Sequence, residues 1–321
     1  MAKAKPIAKI DCLDASAKAI QQVLLARLEE MCEFRERALD WNDPEGVHDM
    51  RVASRRLRSA LSDFKPYLLK DRIPSRKLKA IATSLGAVRD EDVVLAALDE
   101  LRLKAGDKVA DGIEAIAEEH RLKRRQARSV LEPAIRPEAL AELRDDFRAR
   151  LDAANRTPRR TGEKDEPQAL TFRQIATDVI IARLKQLSEA GNAFYHPLRT
   201  KQLHRLRILT KRLRYAVELF APCGGEEFEK VAKEIARLQT SLGELHDCDV
   251  WIANLGTRLK ENYKLEENAG PDQRSNEAAV WLLRHFVSER TKHYCNALTR
   301  WHKWESEGFL DRLSGMLRAD K

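Results

Sequence analysis

The chain contains two copies of one segment, and this duplication constrains its fold more than any other sequence feature. Residues 48–66 read HDMRVASRRLRSALSDFKP and residues 204–222 read HRLRILTKRLRYAVELFAP, with eight of 19 positions identical at an offset of 156. Further on, TSLGAVRDEDV (83–93) matches TSLGELHDCDV (240–250) at seven of 11 positions. Segments that recur in the same order indicate a repeated structural unit.

A polar stretch separates the two copies. Residues 153–169 (AANRTPRRTGEKDEPQA) lack an apolar period, so we predict a flexible linker there. The sequence thus predicts one domain over 14–318, in which a first repeat over 14–152 and a second repeat over 170–318 flank this linker.

Apolar residues recur at spacings of three and four along almost the whole chain, which is typical of amphipathic helices. No sustained alternation of apolar and polar residues indicates a sheet, so we predict an all-α fold. The predicted helices cover 16–40, 48–64, 76–104, 109–131, 138–152, 172–190, 201–220, 226–262, 275–303 and 307–318.

Composition excludes several classes of protein. No run approaches the ~18 apolar residues of a membrane span, and the start MAKAKPIAKID lacks the apolar core of a secretory signal. The five cysteines are odd in number, scattered and without a CxxC pair, which argues against a zinc or dithiol redox centre. We therefore expect a cytoplasmic protein with reduced thiols and no membrane association.

The helix at the start of each matched segment carries a row of basic side chains. On a helical wheel these side chains fall within about 80° beside the apolar arc. Row 1 consists of His48, Arg51, Arg55 and Arg58, and row 2 consists of His204, Arg207, Lys211 and Arg214. Arg56 and Arg212 lie on the opposite flank of their helices.

Like charges at these spacings repel by a few tenths of a kcal/mol per pair, so a helix shaped by stability alone would alternate charge signs. A row of cations that occurs twice favours a polyanion whose charges repeat along its length. Arginine suits phosphate oxygens because its guanidinium offers planar, forked donors. The formal net charge of +8, from 59 Lys and Arg against 51 Asp and Glu, agrees with an anionic partner.

The second matched segment, SLGxx(R/H)DxDV, leaves more than one interpretation open. Its glycines, Gly86 and Gly243, would either allow two helices to approach closely or end one helix. Its acidic residues would either cap a following helix or orient nearby arginines. These residues are Asp90, Asp92, Asp247 and Asp249. Arg89 is a further candidate for the anion site, with His246 at the matching position of the second copy.

Motifs of the common enzyme classes are absent from the sequence. It has no GxxxxGK(S/T) loop, Rossmann glycine pattern, GxSxG or HExxH. The strongest enzymatic alternative is a His–Asp metal phosphohydrolase built on His48-Asp49 and His246-Asp247. However, Asp49 lies about 100° from His48 on its helix, and Arg205 replaces it in the second copy. We therefore predict no catalytic residue, no metal ligand and no cofactor.

Nucleic acid is the alternative partner, because basic helices also suit a phosphate backbone. Single-strand binding usually adds aromatic platforms, and only 6% of the residues are aromatic. We therefore expect nucleic-acid binding, if present, to be a weaker activity of the same basic surface.

The segments HDMRVASRRLR and HRLRILTKRLR, together with the two LGxx(R/H)DxDV segments, resemble the CHAD family of histidine-containing α-helical domains. The resemblance covers about 15–318 and includes both copies. It implies two four-helix bundles related by pseudo-twofold symmetry around a basic groove. It also implies binding of inorganic polyphosphate and, in some members, a location at polyphosphate granules.

The resemblance also implies which residues contact polyphosphate. They are His48, Arg51, Arg55, Arg58, His204, Arg207, Lys211 and Arg214, with Arg56 and Arg212 in support and Arg89 as a further contact. His246 departs from the family's arginine at the position that matches Arg89. Many relatives carry a second domain with an ExExK signature, which does not occur in this sequence, so we expect a binding module without catalysis.

Overall fold

The structure, a computed structural model, describes residues 5, 7, 10–13, 15–68, 75–156, 170–266 and 273–319. Eleven α-helices are assigned in these residues: α1 (Ser16–Glu33), α2 (Arg35–Leu39), α3 (Pro44–Phe64), α4 (Ser75–Arg102), α5 (Asp107–Ala134), α6 (Pro137–Arg156), α7 (Phe172–Ala190), α8 (Thr200–Leu219), α9 (Ala221–Glu266), α10 (Gln273–Ser306) and α11 (Phe309–Ala319). Short 3-10 helices cover Lys65–Tyr67 and Gly191–Tyr195.

The described residues contain no β-strand, only an isolated bridge between Ala15 and Thr171, and the predicted all-α class is confirmed. The predicted helix over 16–40 is divided into α1 and α2 at Phe34. Most of the predicted linker, 157–169, lies outside the described residues, and α6 extends through Arg156 into its first part.

The basic helix α3 begins at a well-defined N-terminus. The Asp43 carboxylate accepts hydrogen bonds from the backbone N–H groups of Glu45 (3.0 Å) and Gly46 (3.2 Å), which satisfies two of the free donors of the first turn. Pro44 follows at the first helical position, where its missing N–H costs nothing. A side chain at Gly46 would collide with the backbone carbonyl of Arg37, so this close approach requires glycine.

The described residues form two compact units. Unit 1 contains those within 1–93 and 122–179, and unit 2 contains those within 94–121 and 180–321. Helices α4 and α5 therefore each contribute residues to both units, and the unit boundaries differ from those of the sequence repeats.

The core of unit 1 is built around α1 and α3. Leu24 and Leu28 of α1 are fully buried, as are Met50 and Leu57 of α3 and Phe147 of α6. These residues confirm that the predicted apolar arc of α3 faces a core, and so place row 1 beside that core rather than in it.

The core of unit 2 combines α9 and α10 with the adjoining parts of α4 and α5. Leu98 of α4 and Ile113 of α5 belong to one buried cluster with Leu282 of α10. In the same cluster the rings of Trp251 (α9) and Phe286 (α10) stack with their centroids 4.6 Å apart. Four helices thus share one apolar core.

The cysteines differ in their covalent state. Cys32, Cys248 and Cys295 are free thiols, and burial raises the pKa of Cys32 and of Cys248 to about 11. Cys12 and Cys223 are each disulfide-bonded, so the expectation of reduced thiols is wrong for these two.

Among the described helices, none combines the length and the apolar character that crossing a membrane requires.

Candidate anion-binding site

Row 1 lies along one face of α3 in unit 1. His48, Arg51 and Arg55 are half-buried and Arg58 is exposed. The Nη2 atom of Arg51 donates to Oδ1 of Asp90 on α4 at 3.1 Å, so a carboxylate from the neighbouring helix holds this guanidinium. Row 1 therefore presents cations at the surface, with one of them oriented by a charge-assisted hydrogen bond.

Gly86 of α4 lies opposite the same arginine. A Cβ atom placed on Gly86 would be 3.8 Å from Nε of Arg51, so the guanidinium rests directly above the glycine backbone. Helix α4 continues without interruption through Gly86 and Asp90. The interpretations as a helix end and as a helix cap are therefore wrong, and Asp90 orients an arginine.

Unit 2 repeats this arrangement in row 2. Arg207 of α8 lies with its Nη2 atom 4.0 Å from Oδ1 of Asp247 on α9, and a Cβ atom on Gly243 would be 4.0 Å from Nε of Arg207. Helix α9 likewise continues through Gly243 and Asp247, and its irregular residue, Gly225, lies well before them. The two matched segments thus build the same arginine–glycine–aspartate contact twice.

The second aspartate of each motif holds an arginine from a later helix. Asp92 is 2.6 Å from Nε of Arg124 on α5, and Asp249 accepts a hydrogen bond of 2.6 Å from Nε of Arg290 on α10. Arg124 and Arg290 lie outside the matched segments, in a region where the two copies align loosely, so the sequence does not single them out. The DxD spacing itself was the available signal, since each aspartate of the pair binds one arginine.

The position occupied by Arg89 in unit 1 and His246 in unit 2 lies beside the first histidine of each row. In unit 1, Nη2 of Arg89 is 3.6 Å from Oε1 of Glu45, and burial together with the charge of Arg89 lowers the pKa of His48. Arg89 is therefore engaged by an acidic residue of α3, close to row 1.

In unit 2 the corresponding contact joins two imidazoles. The Nδ1 atoms of His204 and His246 are 3.2 Å apart, within hydrogen-bond distance. Burial lowers the pKa of His246 to about 4, with further contributions from Arg207, His204 and Lys211, and burial and the same cations lower the pKa of His204. The lowered pKa values favour the neutral form of both rings, and a hydrogen bond between the two Nδ1 atoms requires that one of them carries the proton.

The remaining predicted contacts differ between the units. Arg56 is buried in unit 1, where its Nη1 atom donates to Oε1 of Glu30 at 3.3 Å, whereas Arg212 is exposed. Arg58 is exposed, but its counterpart Arg214 is buried and donates from Nε to Oε1 of Glu218 at 2.6 Å.

A small cluster at the start of α3 bears on the metal alternative. Glu45, His48 and Asp49 each place one potential ligand atom within 4.8 Å of the others. Both carboxylates are ion-paired: Asp49 accepts from Nη1 of Arg37 at 2.8 Å, and Glu45 is paired with Arg89. These arginines compete directly with a divalent cation for the ligand atoms.

The chain is similar to known proteins in both sequence and fold. A family model described as the CHAD domain matches residues 22–256, well over half of the chain. The crystal structure of the CHAD domain from the plant Ricinus communis is similar, with a TM-score of 0.69, 22% identity, and coverage of 92% of this chain and 95% of that chain. PptA from Streptomyces chartreusis is similar with a TM-score of 0.65 and 16% identity, over 90% of this chain and 100% of that chain. No curated protein matches the sequence. The all-α fold, the duplicated motifs and the family match together show that this chain belongs to the CHAD domain family.

Proposed function

We propose that the chain binds inorganic polyphosphate, without cleaving it, through the accessible side chains of rows 1 and 2, which leaves out the buried Arg214. The observation that carries this proposal is the arginine–glycine–aspartate contact that recurs in both units. It supports binding of an anion because Asp90 holds Arg51 by a hydrogen bond, and Asp247 lies close to Arg207, before a ligand arrives, and such pre-orientation reduces the entropy lost on binding.

The chemistry of the rows suits a polymer of phosphates. Each guanidinium offers two parallel donors to phosphate oxygens, and Lys211 adds a point charge. The lowered pKa values of His48 and His204 favour the neutral imidazole, which offers one N–H donor rather than a charge. A polymer long enough to contact both rows should bind more tightly than one that reaches a single row, since the second contact is intramolecular.

We further propose that the protein acts in the cytoplasm, at polyphosphate granules. The family resemblance supports this location. A fluorescent fusion of the full chain tests it, because co-localisation with a polyphosphate stain is expected, and a diffuse signal in polyphosphate-rich cells would contradict it.

Charge reversal tests the binding site. We expect the variant with Arg51, Arg55, Arg207 and Lys211 replaced by glutamate to lose long-chain polyphosphate binding, measured by isothermal titration calorimetry, while its helical circular dichroism is unchanged. The matched control reverses four exposed cations outside the rows: Lys79, Arg136, Arg205 and Lys233. Each replacement changes the charge by two, so both variants reduce the formal net charge from +8 to 0. An equal loss in the control would show that net charge, and not the rows, causes binding.

Competition distinguishes polyphosphate from nucleic acid. Labelled long-chain polyphosphate bound at near-physiological salt is titrated with single-stranded DNA, RNA, pyrophosphate and unlabelled polyphosphate. We expect only the unlabelled long chain to compete well, and we expect affinity to fall steeply with salt because bound phosphates release counterions. Equal competition by nucleic acids per phosphate would assign the rows to polyanions in general.

A further inference from the structure

An acidic, aromatic cavity lies in unit 2 and is formed without any residue of the two rows. It has a volume of about 290 Å³, near the small end of ligand pockets. Indole rings, carboxylates and small polar groups line it, among them Ser188, Asn192, Trp301, Trp304, Glu305 and Asp311. None of the described residues that line the cavity is a lysine or an arginine, although the whole chain has 59 of them.

The aromatic walls are held rigidly. The ring of Trp301 stacks on Phe194 with centroids 4.7 Å apart, and Trp304 stacks on Phe309 at 4.4 Å. A Cβ atom on Gly191 would collide with the Trp301 ring, so glycine at this position allows the indole to reach the cavity. The two indoles lie near one another, with 6.1 Å between their ring centroids, and the face of an indole ring attracts cations because it carries negative electrostatic potential.

Glu305 supplies a fixed negative charge. One carboxylate oxygen accepts a hydrogen bond from Nε1 of Trp301 at 2.8 Å, and the other accepts one from the hydroxyl of Tyr195 at 2.7 Å. Both donors are neutral groups, so they position the carboxylate without cancelling its charge. Each oxygen keeps a lone pair for a further donor, and an ammonium group has such donors to offer.

Two of the three helix termini around the cavity also favour a cation. Helix α7 ends at Ala190 and α10 ends at Ser306, both next to residues that line the cavity, and helix C-termini carry partial negative charge. Helix α11 begins there at Phe309, and its positive end is balanced by Asp311 in its first turn. Asp311 therefore provides a second carboxylate on the cavity wall.

From these observations we infer that the cavity binds a small aliphatic diammonium ligand, with one ammonium at Glu305, the other at Asp311 and the carbon chain against the indoles. The two carboxylates select two positive charges, and the indoles cover apolar methylene groups as well as cations. This site is independent of the proposed polyphosphate binding, since it contains none of the same residues.

Calorimetry on the full chain with 1,4-diaminobutane at low ionic strength tests the inference. We expect saturable binding with a dissociation constant below about 1 mM, and binding of 1-butylamine at least about tenfold weaker because it has one charge. Absence of saturable binding up to about 10 mM, or equal affinity for 1-butylamine, would overturn the inference.

Conservative variants locate the ligand. We expect Glu305→Gln and Asp311→Asn each to weaken 1,4-diaminobutane binding by about tenfold or more, because each removes one charge from the site without removing its shape. Glu307→Gln is the matched control, since Glu307 is an adjacent acid that pairs with Lys303 (3.8 Å) and Arg312 (3.7 Å) instead. Thermal melts verify folding, and Asp311→Asn, on the exposed first turn of α11, remains informative if Glu305→Gln destabilises the chain. An equal loss in Glu307→Gln, or unchanged affinity in both cavity variants, would contradict the assignment.

Discussion

Units 1 and 2 use the same motif but distribute their arginines differently. In both, one arginine of the row lies over a glycine and faces an aspartate of the next helix. Beyond this shared contact, unit 1 buries Arg56 against Glu30 and exposes Arg58, whereas unit 2 exposes Arg212 and buries Arg214 against Glu218. The comparison shows that the motif fixes the central cation, while the flanking cations take surface or core positions according to the local acids.

The histidine positions differ in a second way. His48 lies near the guanidinium of Arg89, whereas His204 contacts His246, whose pKa is lowered to about 4. Unit 1 therefore carries a permanent charge beside its first histidine, and unit 2 carries a group that gains a proton only in acid.

The largest expected effect is a difference in polyphosphate affinity between variants of row 1 and variants of row 2. We expect Arg51→Glu with Arg55→Glu to weaken polyphosphate binding on the order of 100-fold, and Arg207→Glu with Lys211→Glu on the order of tenfold. The reason is that Arg58 is exposed and Arg214 is not, so the second variant leaves three arginines of row 1 at the surface. Calorimetry measures both affinities, and a larger loss from row 2 would contradict this ranking.

Arg56 and Arg212 should differ in how much each contributes to the free energy of unfolding. Arg56→Ala removes one of two arginines that pair with the buried Glu30, the other being Arg27 at 2.6 Å. We expect it to lower the free energy of unfolding by about 3 kcal/mol, because a buried carboxylate loses a partner. Arg212→Ala, at an exposed position, should change it by less than about 0.5 kcal/mol. Urea denaturation followed by circular dichroism measures the free energy of unfolding of both variants. Equal losses would show that the burial of Arg56 does not contribute to stability.

Arg58 and Arg214 should give opposite results. We expect Arg58→Ala to weaken polyphosphate binding about threefold to tenfold without changing stability, because it removes one exposed contact. Arg214→Ala should instead lower the free energy of unfolding by about 2 kcal/mol and leave Glu218 without its short hydrogen bond. A strong loss of affinity in Arg214→Ala at unchanged stability would place Arg214 at the ligand after all.

The last expected effect is a pH dependence of stability that arises at His246. Because the pKa of His246 is lowered from 6.5 to about 4, the unfolded chain binds its proton more readily than the folded chain. Stability from this group is complete above pH 6.5 and falls as the pH decreases towards 4. We expect the melting temperature to show this decline in the parent chain and a shallower one in His246→Gln, and identical profiles would remove His246 as its cause.

The sequence predicts the helices well because their apolar periods are long and regular. It also predicts both rows, since residues three and four apart share one helix face wherever the helix packs. It does not predict the break at Phe34, which has neither glycine nor proline to mark it. The burial of Arg56 and of Arg214 is equally hard to predict, because a helical wheel gives the direction of a side chain but not whether the rest of the fold covers it.

The same limit explains the partners of the DxD motif. Asp92 and Asp249 were recognisable as candidates to orient arginines, but their partners, Arg124 and Arg290, lie on helices where the two copies no longer align closely. The contact between His204 and His246 likewise could not be predicted from the sequence, since the two residues are 42 positions apart and belong to different motifs.

The division of α4 and α5 between the two units has a consequence for dissecting the protein. A fragment that ended at residue 152 would retain Leu98 and Ile113 but lose Trp251 and Leu282, which complete the same buried cluster. It would expose that apolar surface to solvent and would be prone to self-association. Two separately produced fragments, one ending and one beginning in the segment between the copies, would instead restore this cluster on mixing, as a complementation pair in which neither half is a self-sufficient folding unit.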